Sequence, residues 1–199
     1  MQLNHFSRVD NFSGRAFLLK ILIVFIAACA FVSSNSQTKN GGKKMEIKLQ
    51  SIAFKKGDLI PSRYTCDGAN ISPQLKWNNP AKGTRTFAII VTDPDAPSGE
   101  FVHWVVYNIP DSILTLHEDV TPTRNIPDEV MLGTNGAGRV GYFGPCPPSG
   151  THRYFFRIYA LDTALHLEAG ADKGDVMKAM RGHVLAEGEL MGKYRRQGK

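Results

Sequence analysis

Two separated stretches of this sequence each join a rigid loop to an apolar run of the β type, and together they limit the folds that the chain can adopt. The first stretch, residues 93–108, reads DPDAPSGEFVHWVVYN, and the second, residues 141–154, reads GYFGPCPPSGTHRY. Proline fixes φ and so stiffens each loop. His103 and His152 each lie near the start of the run that follows. We therefore expect the two loops and the two histidines to meet in one pocket.

From residue 45 onward, the sequence reads as short strands separated by turn signals. Strands are predicted at residues 86–92, 101–109, 154–161 and 184–191, and residues 111–138 are predicted to be irregular with short strands. The run at 86–92 is apolar and β-branched, as expected of a strand that is buried on both faces. Residues 173–181 are the best helix candidate, with Asp172 as the cap and Gly182 as the stop. The predicted fold is mainly β, a sandwich of antiparallel sheets with one or two short helices.

The N-terminus carries an apolar leader. Residues 16–32 are apolar except for Lys20, which leaves an uninterrupted core of 12 residues at 21–32. A bilayer span needs about 20 residues, so residues 1–32 are predicted to be a signal peptide, with a single anchoring helix as the open alternative. Residues 33–44 are polar and are predicted to form a tether between the leader and a domain at 45–199.

Cys29 closes a short motif in that leader. Residues 26–29 read IAAC, which resembles the lipobox of bacterial lipoproteins, where the peptide is cut before the cysteine and its sulfur receives a diacylglycerol. We expect Cys29 to be lipidated. The protein is then exported, periplasmic or lipid-anchored, and it contacts the membrane only through its N-terminus.

The charge of the chain resides mainly in its first 44 residues. The whole chain has a net charge of +6, but residues 1–44 hold six Lys or Arg and one Asp, so residues 45–199 hold 18 basic and 17 acidic residues. With a net charge of +1, the domain lacks the excess of positive charge that is typical of DNA- and RNA-binding domains. Nucleic acid is therefore excluded as a partner.

Two of the three cysteines, Cys66 and Cys146, lie in the domain. In an exported protein such a pair is expected to form a disulfide, and two free buried thiols are the alternative. The sequence has no CxxC motif and no His/Cys cluster typical of structural zinc. We expect no metal and no cofactor.

Four polar residues of the two stretches are candidates for a site. Asp93 follows the strand at 86–92, His103 lies in the next strand, and His152 and Tyr154 lie two apart, so that their side chains share a face. Such a set fits a metal site, a catalytic set or an anion cradle. Nucleophilic catalysis is disfavoured because Ser149 lacks the Gly-x-Ser-x-Gly elbow.

Both stretches resemble the signatures of the phosphatidylethanolamine-binding protein family, also called the Raf kinase inhibitor proteins. The first signature is a DPDAP turn followed by a histidine-bearing strand that ends in Asn, here residues 93–108. The second is a Tyr/Gly/Pro-Pro-x-Gly loop that leads into His-Arg-Tyr, here residues 142–154. Residues 64–73 look like the bacterial branch, and the resemblance covers roughly residues 45–199.

The resemblance implies a β-sandwich with a small anion pocket at one end. By motif position, the pocket is expected to be lined by Asp93, His103, Pro148, His152 and Tyr154. Imidazole N–H groups would donate to an anion, while Asp93 would either meet the ammonium of a zwitterion such as phosphoethanolamine or orient a histidine.

The implied function is that of an exported protein which binds a phosphate-bearing small molecule or a phospholipid headgroup, and which modulates or inhibits a partner enzyme. We expect a binding protein and no enzyme, since no nucleophile motif is found. The alternative is a hydrolase that uses Asp93, His103 and His152.

The leader prediction can be tested by mass spectrometry of the mature N-terminus. We expect a lipid-modified Cys29 followed by residues 30–44, because several acyl chains on one residue hold a domain at a membrane without a spanning helix. A Cys29→Ser variant should lose the lipid mass. An unmodified start near residues 34–37 would show ordinary cleavage, and an intact Met1 would show a signal anchor; either result contradicts lipidation.

Overall fold

The computed structural model describes residues 45–79 and 81–196. The predicted signal peptide, the tether at 33–44 and the lipidation of Cys29 lie outside the described residues. Within the described part of the chain, no helix is long and apolar enough to cross a membrane.

In the described part of the chain, nine strands form two sheets. The strands are β1 (Met45–Glu46), β2 (Gln50–Ser51), β3 (Leu75–Lys76), β4 (Thr86–Asp93), β5 (Phe101–Pro110), β6 (Thr115–Leu116), β7 (Met131–Leu132), β8 (His152–Leu161) and β9 (Val184–Tyr194). The large sheet has the order β1-β9-β8-β4-β5-β7, and the small sheet has the order β2-β3-β6. The helices are the 3₁₀ turn Ser62–Tyr64 and the helix α1 (Lys173–Ala179). The predicted mainly β class is confirmed.

Strand β4 occupies an inner position in the large sheet, between β8 and β5. All eight of its residues are buried, which confirms the prediction of a strand covered on both faces. Alternate residues of β4 belong to different cores, because successive side chains of a strand point to opposite faces. Phe87 and Ile89 lie in the core on one face, and Ala88 and Ile90 lie in the core on the other.

The two cores have different covers. On one face, the small sheet contributes Leu75 and Leu116 to a core that also contains Trp104 and Phe156. On the opposite face, Val176 of α1 packs with Val105 and Tyr107, among others. The large sheet is therefore the middle layer of the domain, and the helix covers the face that the small sheet leaves open.

Helix α1 begins where the sequence predicts. Asp172 caps it, and its side chain accepts a hydrogen bond from the backbone N–H of Asp175 at 3.0 Å. After α1, Gly182 adopts a φ of +84°, and the chain continues directly into β9. The predicted strand after Gly182 is confirmed, although it continues to Tyr194.

Two details of the sheets differ from the sequence prediction. Strand β1 runs parallel to β9, so the large sheet is mixed and not purely antiparallel. Strand β8 begins at His152, two residues earlier than predicted, because His152 pairs with Tyr194 of β9 and so extends the ladder. Both differences arise from long-range pairing partners that local sequence patterns do not contain.

The loop 141–150 is fastened to residues 64–70 by several contacts. Cys66 and Cys146 form a disulfide with a Cα–Cα distance of 5.4 Å. The backbone N–H of Cys66 donates to the carbonyl of Pro145 at 3.1 Å, and that of Gly144 donates to Oδ1 of Asn70 at 2.7 Å. The loop of the second motif is therefore held in place by residues 64–70.

The disulfide should contribute strongly to stability. In a Cys29→Ser background, replacing Cys66 and Cys146 by serine should lower the free energy of unfolding by ~3–5 kcal/mol, because the bond closes a long loop in the unfolded chain. The measurement is urea denaturation of the oxidised protein and of the serine variant. In the same background, thiol titration of the unfolded, unreduced protein should find no free thiol, and two free thiols would contradict the pairing.

Candidate functional site

The two motif loops meet at one end of the large sheet. Strand β4 ends at Asp93, β5 begins at Phe101 and β8 begins at His152. Because β4 is antiparallel to both neighbours, the end of β4 lies beside the starts of β5 and β8. This topology brings the DPDAP turn and the residues that follow the Pro-Pro loop together.

A register shift sets the position of His103. In the pairing of β4 with β5, Val91 faces Trp104 and Thr92 faces Val102, so His103 has no partner in β4. Such a β-bulge changes the direction of a side chain relative to simple alternation. The ring of His103 packs edge-on against Tyr154, with 5.1 Å between the ring centroids. It also contacts the rings of Phe101 and Phe143, at 4.8 and 6.0 Å.

The backbone and the ring of His103 both bond to Phe143. The N–H of Phe143 donates to the carbonyl of His103 at 2.8 Å, and Nδ1 of His103 lies 2.6 Å from the carbonyl oxygen of Phe143. Because a carbonyl can only accept, Nδ1 carries the hydrogen. The neutral ring then presents an unprotonated Nε2.

Asp93 orients His152. Its Oδ2 lies 2.7 Å from Nδ1 of His152, and its Oδ1 accepts the backbone N–H of Asp95 at 2.8 Å. Both side chains are buried, with relative exposures of 3% for Asp93 and 7% for His152. Of the two roles that the sequence leaves open for Asp93, the structure supports the orientation of a histidine.

A second aspartate, Asp95, binds the outward-facing Arg153 of strand β8. Asp95 accepts hydrogen bonds from Nε and the backbone N–H of Arg153, both at 2.9 Å, and from its Nη2 at 2.6 Å. Successive residues of β8 point to opposite sides, so Asp93 holds His152 inside while Asp95 holds Arg153 outside. The hydrogen bonds from Arg153 lower the pKa of Asp95 to about 2.

Burial dominates the electrostatics of the pocket. Burial lowers the pKa of His103, against the opposing effects of the Phe143 carbonyl and the charge of Asp93. Burial also raises the pKa of Tyr154 far above its usual value, and the nearby charge of Asp93 adds to this effect. The hydroxyl of Tyr154 lies close enough to Asp93 for the two side chains to interact.

The residues enclose a cavity of about 160 Å³, which we call the histidine cavity. Its walls are Asp93, Ala96, Pro97, Ser98, Phe101, His103, Phe143, Cys146, Pro147, Pro148 and His152. Four of the five predicted lining residues are therefore brought together. Tyr154 lies beneath the surface, against the ring of His103.

The sequence prediction missed the apolar part of the cavity. Phe101 and Phe143 contact each other, with 5.6 Å between the ring centroids, and both line the cavity. Phe101 opens β5 directly after the first loop, whereas Phe143 lies within the loop of the second motif. An aromatic residue close to the Pro-rich segment of each motif is the signal that could have identified them. Ser98, in the DPDAP loop, was also missed.

The described residues do not form a metal centre of the usual kind. No group of three or more His, Cys, Asp and Glu side chains among them is arranged to hold an ion. Cys146 is bonded to Cys66, so its sulfur is not a free thiol. The chemical groups that the cavity offers are the Nε2 atoms of two histidines, one serine hydroxyl and an apolar wall.

Comparisons with known proteins agree with the motif resemblance. The model of the family described as "Phosphatidylethanolamine-binding protein" matches residues 50–195. A UPF0098 protein of Methanothermobacter thermautotrophicus is 53% identical over 150 residues, which covers 75% of this chain and 99% of that protein. A homologue of phosphatidylethanolamine-binding protein from Chlamydia trachomatis has a solved structure that is 38% identical, with a TM-score of 0.70, covering 76% of this chain and 99% of its own. E. coli YbcL, described as a member of the mammalian PEBP family, is 30% identical with a TM-score of 0.71, and covers the same shares.

The ion pair of Asp95 should make stability depend on pH in acid. Because the pKa of Asp95 is lowered from 3.8 to about 2, its contribution is present above 3.8 and is lost as the pH falls through about 2. Asp95→Asn should therefore lower the free energy of unfolding by about 1 kcal/mol at neutral pH, and by much less near pH 2. Denaturation at both pH values measures this.

The matched control is Glu189→Gln, which removes a surface pair that has a single contact with Arg157 at 3.0 Å. At neutral pH, Glu189→Gln should lower the free energy of unfolding by less than Asp95→Asn does. An Asp95→Asn effect of equal size at both pH values would show that the charge is not its source.

Proposed function

The chain belongs to the phosphatidylethanolamine-binding protein family, and from that premise we propose that its histidine cavity binds a phosphate-type anion together with a proton. One observation carries the proposal. Nδ1 of His103 and Nδ1 of His152 are both committed to protein acceptors, at 2.6 and 2.7 Å. Each ring therefore has only Nε2 to offer to a ligand.

The fixed tautomers make anion binding depend on protonation. A neutral imidazole that donates through Nδ1 can only accept at Nε2, and the oxygens of an anion also accept. A hydrogen bond between them needs one more proton, on the ring or on the anion. Burial lowers the pKa of His103, so the free site favours its neutral form, and the proton must be taken up with the ligand.

The apolar wall supports a ligand class. Phe101 and Phe143 lie beside the ring of His103, and Pro97 and Pro148 complete the apolar lining. A phosphate monoester with a small apolar or aromatic substituent would place its anion at the histidines and its substituent against these side chains.

The source and setting of the ligand belong to the same proposal. The ligand is a phosphate-bearing small molecule or a phospholipid headgroup, and its binding modulates a partner enzyme. The leader at residues 1–32 supports a location outside the cytoplasm.

The hydrolase alternative has one observation in its favour. A buried carboxylate that orients a histidine is the arrangement used to prepare a general base, and Ser98 lines the same cavity. Incubation of the protein with phenyl phosphate and with phenyl acetate distinguishes the binding proposal from the hydrolase alternative. Release of phenol that is lost in His152→Ala would overturn the binding proposal in favour of catalysis.

Calorimetric titration with phenyl phosphate, inorganic phosphate and phosphoethanolamine tests the binding proposal. Affinity should rise as the pH falls from 8 to 5.5, by up to about tenfold per pH unit where one proton is taken up. The rise should continue below 6.5, because the pKa of His103 is lowered. Phenyl phosphate should bind most tightly.

His152→Ala should weaken binding by about 1.5–3 kcal/mol, the scale of a hydrogen bond to a charged group. The matched control is His183→Ala. His183 also pairs with an aspartate, Asp162, at 2.7 Å, but it is not part of the cavity lining. Affinities that are equal at both pH values, or equally reduced by the two variants, would contradict the proposal.

A further inference from the structure

A second cavity, of about 490 Å³, shares no lining residue with the histidine cavity. Its floor is apolar and contains Leu49, Phe54 and Leu190, all of which belong to the larger core. Its rim carries Lys55, Lys56 and Lys76. We call this feature the lysine groove.

One large apolar side chain in the groove is exposed. Ile52 lines the groove and has a relative exposure of 81%, the highest among the large exposed hydrophobic residues of the described chain. A single exposed apolar residue is common on protein surfaces and has no meaning alone. Here it stands beside three exposed lysines and continues an apolar floor.

The lysines of the groove form no ion pair with any other described residue. Among residues 45–79 and 81–196, no ion pair involves Lys55, Lys56 or Lys76. The nearby acid Asp58 directs its Oδ2 to the backbone N–H of Lys55, at 3.2 Å. Residues 45–199 have 18 basic and 17 acidic residues, so without these three lysines the domain is net negative. The groove is thus a local concentration of positive charge.

The described chain begins only four residues before the first residue of the groove. The described chain begins at Met45, and Leu49 of the groove floor follows four residues later. The preceding residues 33–44 contain three more lysines, and residues 21–32 are uninterruptedly apolar. The twelve residues 33–44 span at most about 40 Å. A membrane that residues 21–32 enter is therefore within reach of the groove.

We propose that the lysine groove is a docking surface for a bilayer of anionic phospholipid. Ile52 would insert its side chain between headgroups, while Lys55, Lys56 and Lys76 lie at the level of the lipid phosphates. Long lysine side chains suit this position because their stems lie along apolar surface while their ammonium groups reach the phosphates.

Charge complementarity selects this occupant over two others. A second copy of the chain in a two-fold contact would bring the same lysines face to face, and their repulsion would oppose association. The leader at residues 21–32 carries no acidic residue, so its insertion would leave the three lysines without partners. An anionic surface satisfies both the apolar and the basic part of the groove.

The test uses a protein that starts at Met45 and therefore lacks the leader. Such a domain folds alone, because a solved relative of which 99% is matched consists almost entirely of it. Sedimentation with vesicles of phosphatidylcholine, with and without phosphatidylglycerol, measures the binding. We expect binding to the anionic vesicles, little binding to the neutral ones, and loss of binding in high salt. Equal binding to both vesicles, or none to either, would overturn the proposal.

Two pairs of variants separate docking at the groove from general attraction. Replacing Lys55, Lys56 and Lys76 by glutamine should reduce partitioning on the order of a hundredfold, at roughly fivefold per lysine. Its control removes three positive charges elsewhere, as Lys82→Gln, Lys178→Gln and Arg181→Gln. Ile52→Ser should reduce partitioning about tenfold, and its control is the exposed Val140→Ser beside β7.

The result must also be independent of the histidine cavity. His152→Ala should leave vesicle binding unchanged, so that failure of the proposed anion binding does not affect this test.

An equal loss of vesicle binding in the control triple variant would show non-specific attraction. A loss in His152→Ala alone would show headgroup capture by the histidine cavity. A dimer that disappears in the groove variants, seen by analytical ultracentrifugation, would show self-association. Each of these results would overturn the proposal.

Discussion

The buried hydrogen bond between Asp93 and His152 is the interaction on which the histidine cavity depends. It joins the end of β4 to the start of β8, and both side chains are almost completely removed from water. A buried carboxylate is costly unless its oxygens are hydrogen-bonded. Here one oxygen accepts from His152 and the other from the backbone of Asp95. The same acid therefore forms the turn and fixes the ring of the histidine.

The choice of donor on each histidine determines what the cavity can recognise. The carbonyl of Phe143 fixes His103, and the carboxylate of Asp93 fixes His152, both through Nδ1. With Nδ1 fixed as a donor, the neutral and the charged form of each ring differ only in whether Nε2 carries a proton. Both Nε2 atoms have to share a small cavity with an apolar wall, where water screens charges poorly. The proposed uptake of a proton with an anion rests on this arrangement.

The loops that form the cavity are held in place by contacts with other parts of the protein. The disulfide between Cys66 and Cys146 and the bond from Gly144 to Asn70 hold the loop of the second motif. The pair of Asp95 and Arg153 holds the loop of the first. Two loops stiffened by proline and fixed at their outer sides lose little entropy on binding, which favours a preformed pocket.

Much of the fold could be predicted because its signals are local. The fully buried run of β4 and the cap Asp172 are recognisable in the sequence, since burial and capping depend on residue type and on near neighbours. The helix end is less so, because α1 ends at Ala179, two residues earlier than predicted, and Gly182 lies in the turn that follows. The grouping of Asp93, His103 and His152 could be predicted from two motifs in their order. The parallel pairing of β1 could not, because its partner β9 lies at the other end of the chain.

The geometry of the site was decided by tertiary structure. Simple alternation along β5 places His103 and Trp104 on opposite faces, but the bulge leaves His103 without a partner in β4 and free to bond to Phe143. The sequence by itself determined which residues meet at this end of the sheet. Only the packed chain decided which nitrogen of each histidine faces the ligand, because the acceptors that fix them, Phe143 and Asp93, lie 40 and 59 residues away.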